Sequence, residues 1–350
     1  MTIQNRIQLS FHKLTHWEYW PYQVVYIPIS FLWIFYAFKS KSLFFFSASN
    51  PTMKNGGFVM ESKKEIYDLI PQDYYPQTAL IKKGFSWEEI EKLRLTSGIQ
   101  FPFIAKPDIG LRGSAVKKID SINALFQYRQ KADFDFLIQD LIPYEKEVGI
   151  FYVRYPNQTK GKITGIVSKE FLIITGDGKS SIAQLILKNP RYALQFSVLK
   201  KEYGDQLETV LPRGEKQNLV PYGNHARGAK FVDGSHWVTP ELEQVIDAVC
   251  VQIPGFYFGR LDVMYRSLED LQQGENFSIV ELNGAASEPT HIYDPKHSLF
   301  FAWKELARHI TYMYEISRIN NKNGIPFLPH KIGMKEMRLH FEQSAKIVNF

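Results

Sequence analysis

Residues 101–119 read FPFIAKPDIGLRGSAVKKI. A short apolar run ends near Lys106, a loop with Gly110 and Gly113 follows, and a second strand-like run comes after the loop. Because glycine frees the backbone, the N–H groups of such a loop can turn toward a phosphate, and the lysine adds a positive charge. An ordinary β-hairpin with a basic edge has the same pattern. These residues alone leave both interpretations open.

The glycine spacing excludes two common phosphate-binding loops. A Walker A loop has the form G-x-x-x-x-G-K-[ST] and opens a helix. Here Gly110 and Gly113 are three residues apart, no lysine follows Gly113, and a strand comes next. The dinucleotide pattern G-x-G-x-x-G is also absent. What remains is a glycine-containing loop between two antiparallel strands.

A second group of polar residues lies in GRLDVMY (259–265) and IVELNG (279–284). Residues two apart on a strand share a face, so a hairpin connection can place Asp262 opposite Glu281 and Asn283. Three oxygen-bearing side chains on adjacent strands form a hard-cation site, and Mg²⁺ is the usual ion where phosphates supply the other ligands. Arg260 shares the face of Asp262, where it can clamp a transferring phosphoryl group.

The alternative for this group is two half-exposed polar edges on an antiparallel sheet. Glu281 and Asn283 interrupt a run that otherwise looks buried. An unpaired carboxylate is costly in such a place, which favours the metal site.

Four motifs occur in the order found in the ATP-grasp superfamily: IAKPDIGLRGSAV, LIQDLIPYEKEVGIFYV, GRLDVMY and IVELNG. The chain resembles that superfamily over residues 60–316, and TGDGKSSIAQLI is similar to a segment of cyanophycin-synthetase-type members. The resemblance implies an α+β fold whose two lobes bind ATP between them. It also implies the activity of members such as the D-alanine–D-alanine ligases, in which a carboxylate is activated as an acyl phosphate and then attacked by an amine or thiol. Residues 1–60 contain no convincing equivalent of the amino-acid pocket of those ligases.

The resemblance implies roles for individual residues. Lys106 is similar to the lysine that contacts the nucleotide phosphates, and Lys63 or Lys64 to an earlier lysine. Glu147, with Glu145 as the alternative, is similar to the carboxylate that accepts from the ribose hydroxyls. The remaining correspondences are the glycine-rich lid at Gly110, Arg112, Gly113 and Ser114, the adenine strand at Gln139, Asp140, Leu141 and Ile142, and the metal ligands Asp262, Glu281 and Asn283 beside Arg260.

The loop GNHARGAKF (223–231) gathers several basic residues between glycines. In an ATP-grasp protein it would lie near the γ-phosphate and the acceptor carboxylate, and Arg227 is the candidate anion-binding residue. The alternative is an exposed basic loop.

Together, the residues and the resemblance predict an ATP- and Mg²⁺-dependent carboxylate–amine or carboxylate–thiol ligase. Its substrate is expected to be amino-acid or peptide-like, and two Mg²⁺ ions are expected, with Mn²⁺ able to substitute. Two alternatives remain: a phosphotransferase acting on a small molecule, and a nucleotide-binding protein at a membrane surface without ligase activity.

Composition narrows the class of partner. The 350 residues carry 42 Lys and Arg against 36 Asp and Glu, a net charge of +6 without a dense basic run, which argues against nucleic-acid binding. Cys250 is the single cysteine, so an internal disulfide and a Cys₂His₂ zinc site are excluded, and a reducing, cytoplasmic compartment is expected. The oligomeric state stays open, a dimer included.

The segment 21–38, PYQVVYIPISFLWIFYAF, has no formal charge, and Lys39 and Lys41 follow it. Its three interpretations are a buried or partner-covered helix, a membrane-surface helix through residues 22–38, and a membrane span. It lacks the basic start and the cleavage site of a signal peptide.

Four regions are expected along the chain. Residues 1–60 form an aromatic-rich N-terminal segment, 61–135 a first lobe with Lys106, 136–316 a second lobe with the metal site, and 317–350 a basic tail. Within them, 43–49 and 134–142 predict buried strands, with 147–155 paired to the second. Capping residues predict helices that begin after Ser86, after Ser121 and at Thr239–Pro240.

Overall fold

The computed structural model describes residues 3–110, 113–220, 228–348 and 350. The helices are α1 Ile3–Thr15, α2 Tyr22–Ser40, α3 Lys63–Tyr67, α4 Trp87–Thr96, α5 Ile122–Lys131, α6 Ile182–Lys188, α7 Pro190–Ala193, α8 Phe196–Tyr203, α9 Pro240–Val251, α10 Leu268–Gln273, α11 Leu299–Lys322 and α12 His330–Val348. The strands are β1 Thr78–Ile81, β2 Phe103–Pro107, β3 Lys117–Ile119, β4 Phe136–Asp140, β5 Lys146–Val153, β6 Lys162–Glu170, β7 Leu172–Thr175, β8 Lys216–Val220, β9 Lys230–Asp233, β10 Phe258–Tyr265 and β11 Phe277–Asn283.

The strands form two main sheets. The first is four-stranded with the order β1-β4-β2-β3, and the second is five-stranded with the order β11-β10-β5-β6-β9. All neighbouring strands in both sheets are antiparallel, as are β7 and β8 in a separate pair. Antiparallel sheets combined with helices define an α+β fold, so the predicted class is confirmed. We call the first sheet with its helices the first lobe, and the second sheet with its helices the second lobe. Strand β4 belongs to the first sheet, although its residues 136–140 were expected in the second lobe.

The predicted capping residues begin their helices. Ser86 Oγ accepts from Glu89 N at 3.2 Å, and the Glu89 carboxylate accepts from Ser86 N at 2.6 Å, which completes a capping box for α4. Thr239 caps α9, with Pro240 at the first helical position. The buried residues of α9 pack against the second sheet. These helix starts are confirmed.

The strand predicted at 43–49 is wrong. The segment forms a single 3-10 turn at Phe45–Ala48, with the rings of Phe45 and Phe46 buried. Phe45 contacts Trp33 and Tyr314, at ring-centroid distances of 5.1 and 6.1 Å. The apolar run therefore reflects burial of aromatic rings between helices, which apolarity alone does not distinguish from a strand.

The pairing expected between 134–142 and 147–155 is also wrong. The first segment forms β4, which pairs with β1 and β2, and the second forms β5, which pairs with β6 and β10. Residues 141–145 therefore carry the chain from the first sheet to the second. Leu137 of β4 nevertheless packs in the same core as Ile150 of β5 and Leu261 of β10, so the two lobes meet at this crossing.

Helix α2 carries apolar side chains on both faces. On the inner face, Val25 is buried and its carbonyl accepts from Trp303 Nε1 of α11 at 2.8 Å, while Tyr36 stacks on Tyr314 at 4.1 Å. The outer face is exposed and also apolar, at Val24, Ile27, Phe31, Ile34, Phe35 and Phe38. Tyr22–Ser40 is long and apolar enough to cross a membrane by length and composition alone.

The C-terminal part contains more helix than the sequence indicated. Helix α11 begins after its cap, Ser298, and continues past residue 317, and α12 occupies much of the expected tail. The ring of Phe350 contacts Tyr128 and Phe134 at 4.9 and 5.4 Å. The end of the chain thus packs on the first lobe.

Candidate functional site

The β10–β11 pair forms the base of the candidate site. Asp262 lies opposite Glu281, and Arg260 lies opposite Asn283. The Arg260 guanidinium donates to both oxygens of Asp262, with Nε–Oδ1 at 3.0 Å and Nη2–Oδ2 at 2.9 Å. Asn283 Nδ2 is 3.4 Å from Asp262 Oδ2. The strands therefore bring together the three predicted metal ligands and the predicted arginine.

Gly149 of β5 leaves room for this group. A Cβ atom at position 149 would lie 3.0 Å from Asp262 Oδ1, 3.2 Å from Arg260 Cδ and 2.8 Å from the Val167 side chain. A side chain at this position would press on Val167, Asp262 and Arg260, so the close packing favours glycine here.

Lys169 of β6 lies between two carboxylates. Its ammonium group is 3.1 Å from Asp262 Oδ1 and also pairs with Glu147 Oε1. Burial acts to lower the pKa of Lys169, but Asp262 and Glu147 raise it above its ordinary value. Burial likewise acts to raise the pKa of Asp262, yet Arg260 and Lys169 lower it to about 2. Lys169 and Asp262 therefore stay ionised at neutral pH.

The sequence analysis did not predict a role for Lys169. The available signal was a lysine inside the apolar run ITGIVSKEFLII (163–174), where an unpaired charge is costly. Its partners lie on two other strands, so the sequence could not show which carboxylates it meets.

Lys106 of β2 is buried and reaches the second lobe. Its Nζ donates to Tyr67 Oη and Gln139 Oε1, both at 2.8 Å, and to the Val280 carbonyl at 3.3 Å. The β10–β11 register shifts after Asp262, so Val280 has no partner on β10. Burial lowers the pKa of Lys106 to about 7, against the opposing effect of Glu281. The ammonium group is thus close to half-neutralised at pH 7.

Lys63, at the start of α3, faces the site, whereas Lys64 pairs with Asp68. Lys63 Nζ is 2.7 Å from Glu281 Oε1. Burial acts to raise the pKa of Glu281, but Lys63 holds it below its ordinary value. Of the two candidate lysines, Lys63 is therefore the one that lies beside Glu281.

Glu61, which the sequence analysis did not select, lies beside this pair. It lines one small cavity together with Lys63, Tyr67, Glu281 and Asn283. Its Oε2 is buried and has no hydrogen-bond partner among the residues that the structure describes, and burial raises the pKa of the carboxyl group. The only sequence signal was an acidic residue directly before Ser62, the cap of α3.

Hydrogen bonds to Ser62 and to α3 hold the chain in place where the glycine-rich loop begins. Asp108 Oδ1 accepts from Ser62 Oγ and from Lys64 N, both at 2.9 Å, so the loop starts against α3. Further along, Gly113 has a φ of 73°, in the left-handed region that favours glycine. Gly110 and Ser114 lie on either side within the predicted loop, and Arg112 falls outside the described residues.

The predicted adenine-contacting residues lie at the end of β4 and just after it. Gln139 is buried, and its amide group bonds to Lys106 and, through Nε2, to Thr78 Oγ1 at 2.7 Å. Asp140 closes the strand, while Leu141 and Ile142 begin the crossing to the second lobe. The Gln139 side chain is therefore already engaged, which leaves the backbone and the side chains of 140–142 for contact with a ligand.

Glu147, the predicted ribose-contacting residue, is at the start of β5 and pairs with Lys169. Glu145, the alternative, is exposed in the crossing before β5. Arg227 falls outside the described residues, so its role remains a prediction.

The oxygen donors fit a magnesium ion by their chemistry. Asp262, Glu281 and Asn283 offer two carboxylates and a carboxamide from neighbouring strands, the hard ligands that Mg²⁺ prefers. In the described part of the chain, no group of three or more His, Cys, Asp or Glu residues is arranged to hold a metal. An ion here therefore depends on Asn283 and on oxygens that a ligand supplies. Lys63 pairs with Glu281 Oε1, so an ion that binds this oxygen has to displace the lysine.

Searches against known proteins gave one sequence relative. No protein-family model matches the chain. The glutathione biosynthesis bifunctional protein GshAB of Streptococcus mutans serotype c is 23% identical over 228 residues. The aligned part is 58% of this chain but only 29% of that protein, so the chain corresponds to less than a third of its relative.

Several solved structures are similar over most of the chain. A bifunctional glutathione synthetase from Pasteurella multocida is 14% identical with a TM-score of 0.40, covering 75% of this chain and 38% of its own. D-alanine–D-alanine ligase from Bacillus anthracis is 12% identical with a TM-score of 0.41, covering 75% and 68%. PurK, an N5-carboxyaminoimidazole ribonucleotide synthetase, is 11% identical with a TM-score of 0.43, covering 74% and 54%. These proteins are named as ligases and synthetases, and the function of this chain is argued from its own site.

Proposed function

We propose that this protein is an ATP- and Mg²⁺-dependent ligase that joins a carboxylate to an amine or thiol through an acyl phosphate. The supporting observation is the junction of the two lobes, where oxygen donors and buried cations meet. The oxygen donors are Asp262, Glu281 and Asn283, and the cations are Lys63, Lys106, Lys169 and Arg260. Such a set suits a triphosphate with its metal, because it supplies both the positive charges and the hard oxygens that Mg–ATP requires.

The lysines bind the phosphates in this proposal. Lys106 is buried beside uncharged partners, so a triphosphate provides the negative charge that keeps its ammonium form stable. Lys63 exchanges Glu281 for a phosphate oxygen. Magnesium held by Asp262, Glu281 and Asn283, with two ions expected and Mn²⁺ able to substitute, supplies charge neutralisation of the triphosphate.

Arg260 is the proposed catalytic residue. Its guanidinium is fixed by the two bonds to Asp262, and its Nη1 donates to the Glu288 carbonyl at 3.3 Å. A planar, fixed cation can stabilise charge on the transferring phosphoryl group without reorganising during the reaction. Arg227 is the proposed anion-binding residue for the acceptor.

Water exclusion is assigned to the loop 110–114. Closure of this loop over the phosphates would let the acyl phosphate meet the amine or thiol before it hydrolyses. Residues 139–142 are proposed to contact the adenine and Glu147 the ribose, which requires Glu147 to loosen its pairing with Lys169. This chemistry needs no nucleophile from the protein.

The test is ADP release from Mg–ATP with pooled amino acids, hydroxy acids and peptides. ADP that forms only when a carboxylate and an amine or thiol are both present supports the ligase. Dependence on one acceptor alone indicates a phosphotransferase instead. Asp262→Asn and Glu281→Gln should abolish turnover while the circular dichroism spectrum stays unchanged, and wild-type rates in either variant would refute the metal assignment.

We also propose that the protein is cytoplasmic and contacts a membrane surface through residues 22–38. The outer face of α2 is apolar and uncharged, and Lys39 and Lys41 lie directly after it, as suits an interfacial helix near anionic lipid. Co-sedimentation with anionic vesicles should exceed that with zwitterionic ones and should be lost in Phe31→Glu. A wild-type chain that stays in the supernatant, with a dimer seen by analytical ultracentrifugation, would assign this face to a second copy.

A further inference from the structure

The Glu61 side chain has a buried carboxylate oxygen, Oε2, for which the described residues provide no hydrogen bond. Its Oε2 is shielded from solvent and makes no hydrogen bond within the described residues. Leaving a buried carboxylate oxygen unpaired is costly, so native proteins pair such groups or use them to bind a ligand. The preceding residue, Met60, has a φ of 57°, in the left-handed region that is unfavourable for its side chain. The backbone is thus turned sharply where Glu61 enters the site.

The cavity next to Glu61 is lined by residues from α3, from the segment before it and from β11. Glu61, from the segment before α3, faces it together with Glu281 and Asn283 of β11. Its volume is ≈ 10 Å³, about the space that one water-sized body needs. The positive charge beside these residues is the Lys63 ammonium group, whose Nζ is 2.7 Å from Glu281 Oε1.

The charges at the cavity do not balance with Lys63 alone. Glu61 and Glu281 carry two negative charges when both are ionised, and Lys63 carries one positive charge. Lys106, which also acts on Glu281, has a pKa of about 7 and adds only part of a second positive charge at neutral pH. Asp262 does not alter this sum, because Arg260 and Lys169 are paired with it. A divalent cation would match the two carboxylates, and hard oxygens are the ligands that such ions prefer.

We propose that Glu61 is a further ligand of the divalent cation, contributed by the segment before α3 to a site whose other protein ligands are Asp262 of β10 and Glu281 and Asn283 of β11. The cation takes the place of the Lys63 ammonium group at Glu281, and Lys63 is released toward the phosphates. This inference rests on the proposed function, because it adds a ligand to the same metal site. A cation held by both Glu61 and Glu281 would also link the segment before α3 to β11.

The test is Mn²⁺ binding to the full chain, followed through the electron paramagnetic resonance signal of free Mn²⁺. Glu61→Gln keeps the shape and removes the charge, and it should weaken Mn²⁺ binding about tenfold or more, as losing a ligand-shell group does. Glu65→Gln is the matched control, because Glu65 is exposed on α3 one turn further on, and it should bind like wild type. Lys63→Met should bind Mn²⁺ more tightly, because the competing ammonium group is gone.

The outcomes separate this inference from the proposed function. Wild-type Mn²⁺ affinity in Glu61→Gln, with weakened binding in Glu281→Gln, overturns the role of Glu61 and leaves the ligase proposal standing. Wild-type affinity in Glu281→Gln and Asp262→Asn overturns both. An unchanged affinity in Lys63→Met overturns the exchange of lysine for the ion.

A purely structural role of Glu61 has a different signature. It predicts that Glu61→Gln lowers the metal-free stability in urea and leaves the Mn²⁺ affinity of the folded protein unchanged, whereas a ligand role predicts no loss of metal-free stability. If Glu61→Gln does not fold, Glu61→Asp replaces it, because the shorter side chain withdraws the oxygen from the cavity. Wild-type Mn²⁺ affinity in Glu61→Asp would also overturn the proposal.

Discussion

Nucleotide binding is expected to draw a proton onto Lys106. The hydrogen-bond partners of its ammonium group in the described part of the chain are the Tyr67 hydroxyl, the Gln139 amide oxygen and the Val280 carbonyl, all of them uncharged. Burial therefore lowers its pKa to about 7. A bound triphosphate adds negative charge next to the lysine and should return the pKa toward the ordinary value near 10.5.

The size of the proton uptake follows from this pKa. At pH 8, one unit above a pKa of about 7, roughly a tenth of the Lys106 side chains are protonated in the nucleotide-free protein. After binding, nearly all are protonated, so about 0.9 proton is taken up per nucleotide. At pH 6 the lysine is already charged, and the uptake should fall to about 0.1.

The assay is isothermal titration calorimetry with a Mg²⁺ complex of a non-hydrolysable ATP analogue. Titrations at pH 8 in buffers of different ionisation enthalpy give the number of protons as a slope. Lys106→Met should bind more weakly with a slope near zero. Lys118→Met, which removes an exposed lysine of the neighbouring strand β3, should keep the wild-type slope.

The pH dependence of the free energy of unfolding, measured without nucleotide, is a second test of the lowered Lys106 pKa, and the direction of the change can be predicted. The folded-state pKa of Lys106 lies below the unfolded value, so its cost to stability is fully present below pH 7 and is relieved as the pH rises toward 10.5. Between pH 7 and pH 9, the wild-type free energy of unfolding should rise relative to Lys106→Met by about 2 kcal/mol. A wild-type proton slope near zero at pH 8, together with no such rise, would refute the buried, partly neutral lysine.

Three further variants test the structure around the site. Asp262→Asn leaves buried cations unpaired and should lower the free energy of unfolding at pH 7 by about 3 kcal/mol in urea, while Asp133→Asn, on the surface, should not. Because the Asp262 pKa is lowered to about 2, this difference should be complete above pH 3.8 and shrink as the pH falls toward 2; a constant difference would contradict the assignment. Asn50→Ala removes a buried side chain that bonds to Gly56 O, Phe258 O and two backbone N–H groups, and should cost about 3 kcal/mol by the same measurement. Gly149→Ala should displace Asp262 and abolish Mn²⁺ binding; wild-type binding would show that the backbone can yield there.

The sequence was sufficient to predict those contacts of the site that are made between strands consecutive along the chain. The sequence could predict the grouping of Asp262, Glu281 and Asn283, because β10 and β11 are consecutive strands and the side chains of a strand alternate between its two faces. The antiparallel connection after Lys106 could be predicted for the same reason, since β2 and β3 are also sequential. In each case the side-chain period of a strand and a short connection fixed the arrangement.

Contacts between distant elements could not be predicted in this way. Lys169 reaches Asp262 only because β6 and β10 both flank β5, and β5 itself was expected beside β4. A continuous apolar strand shows that it is buried but not which strand lies next to it. Glu61 was missed for a related reason, because its importance comes from burial beside β11 and not from any local pattern.

Most charged side chains of the site form ion pairs with one another, and these pairs affect how a ligand can bind. Asp262 is covered by Arg260 and Lys169, and Glu281 is covered by Lys63. A phosphate that attracts Lys63 uncovers Glu281, and a metal ion that binds Glu281 releases Lys63. Each ligand therefore removes the internal pairing that opposes the other, so nucleotide and metal should bind with positive coupling, equal in both directions by linkage. In the proposed function, contacts with Mg–ATP would replace these buried ion pairs, which are themselves expected to contribute little net stability.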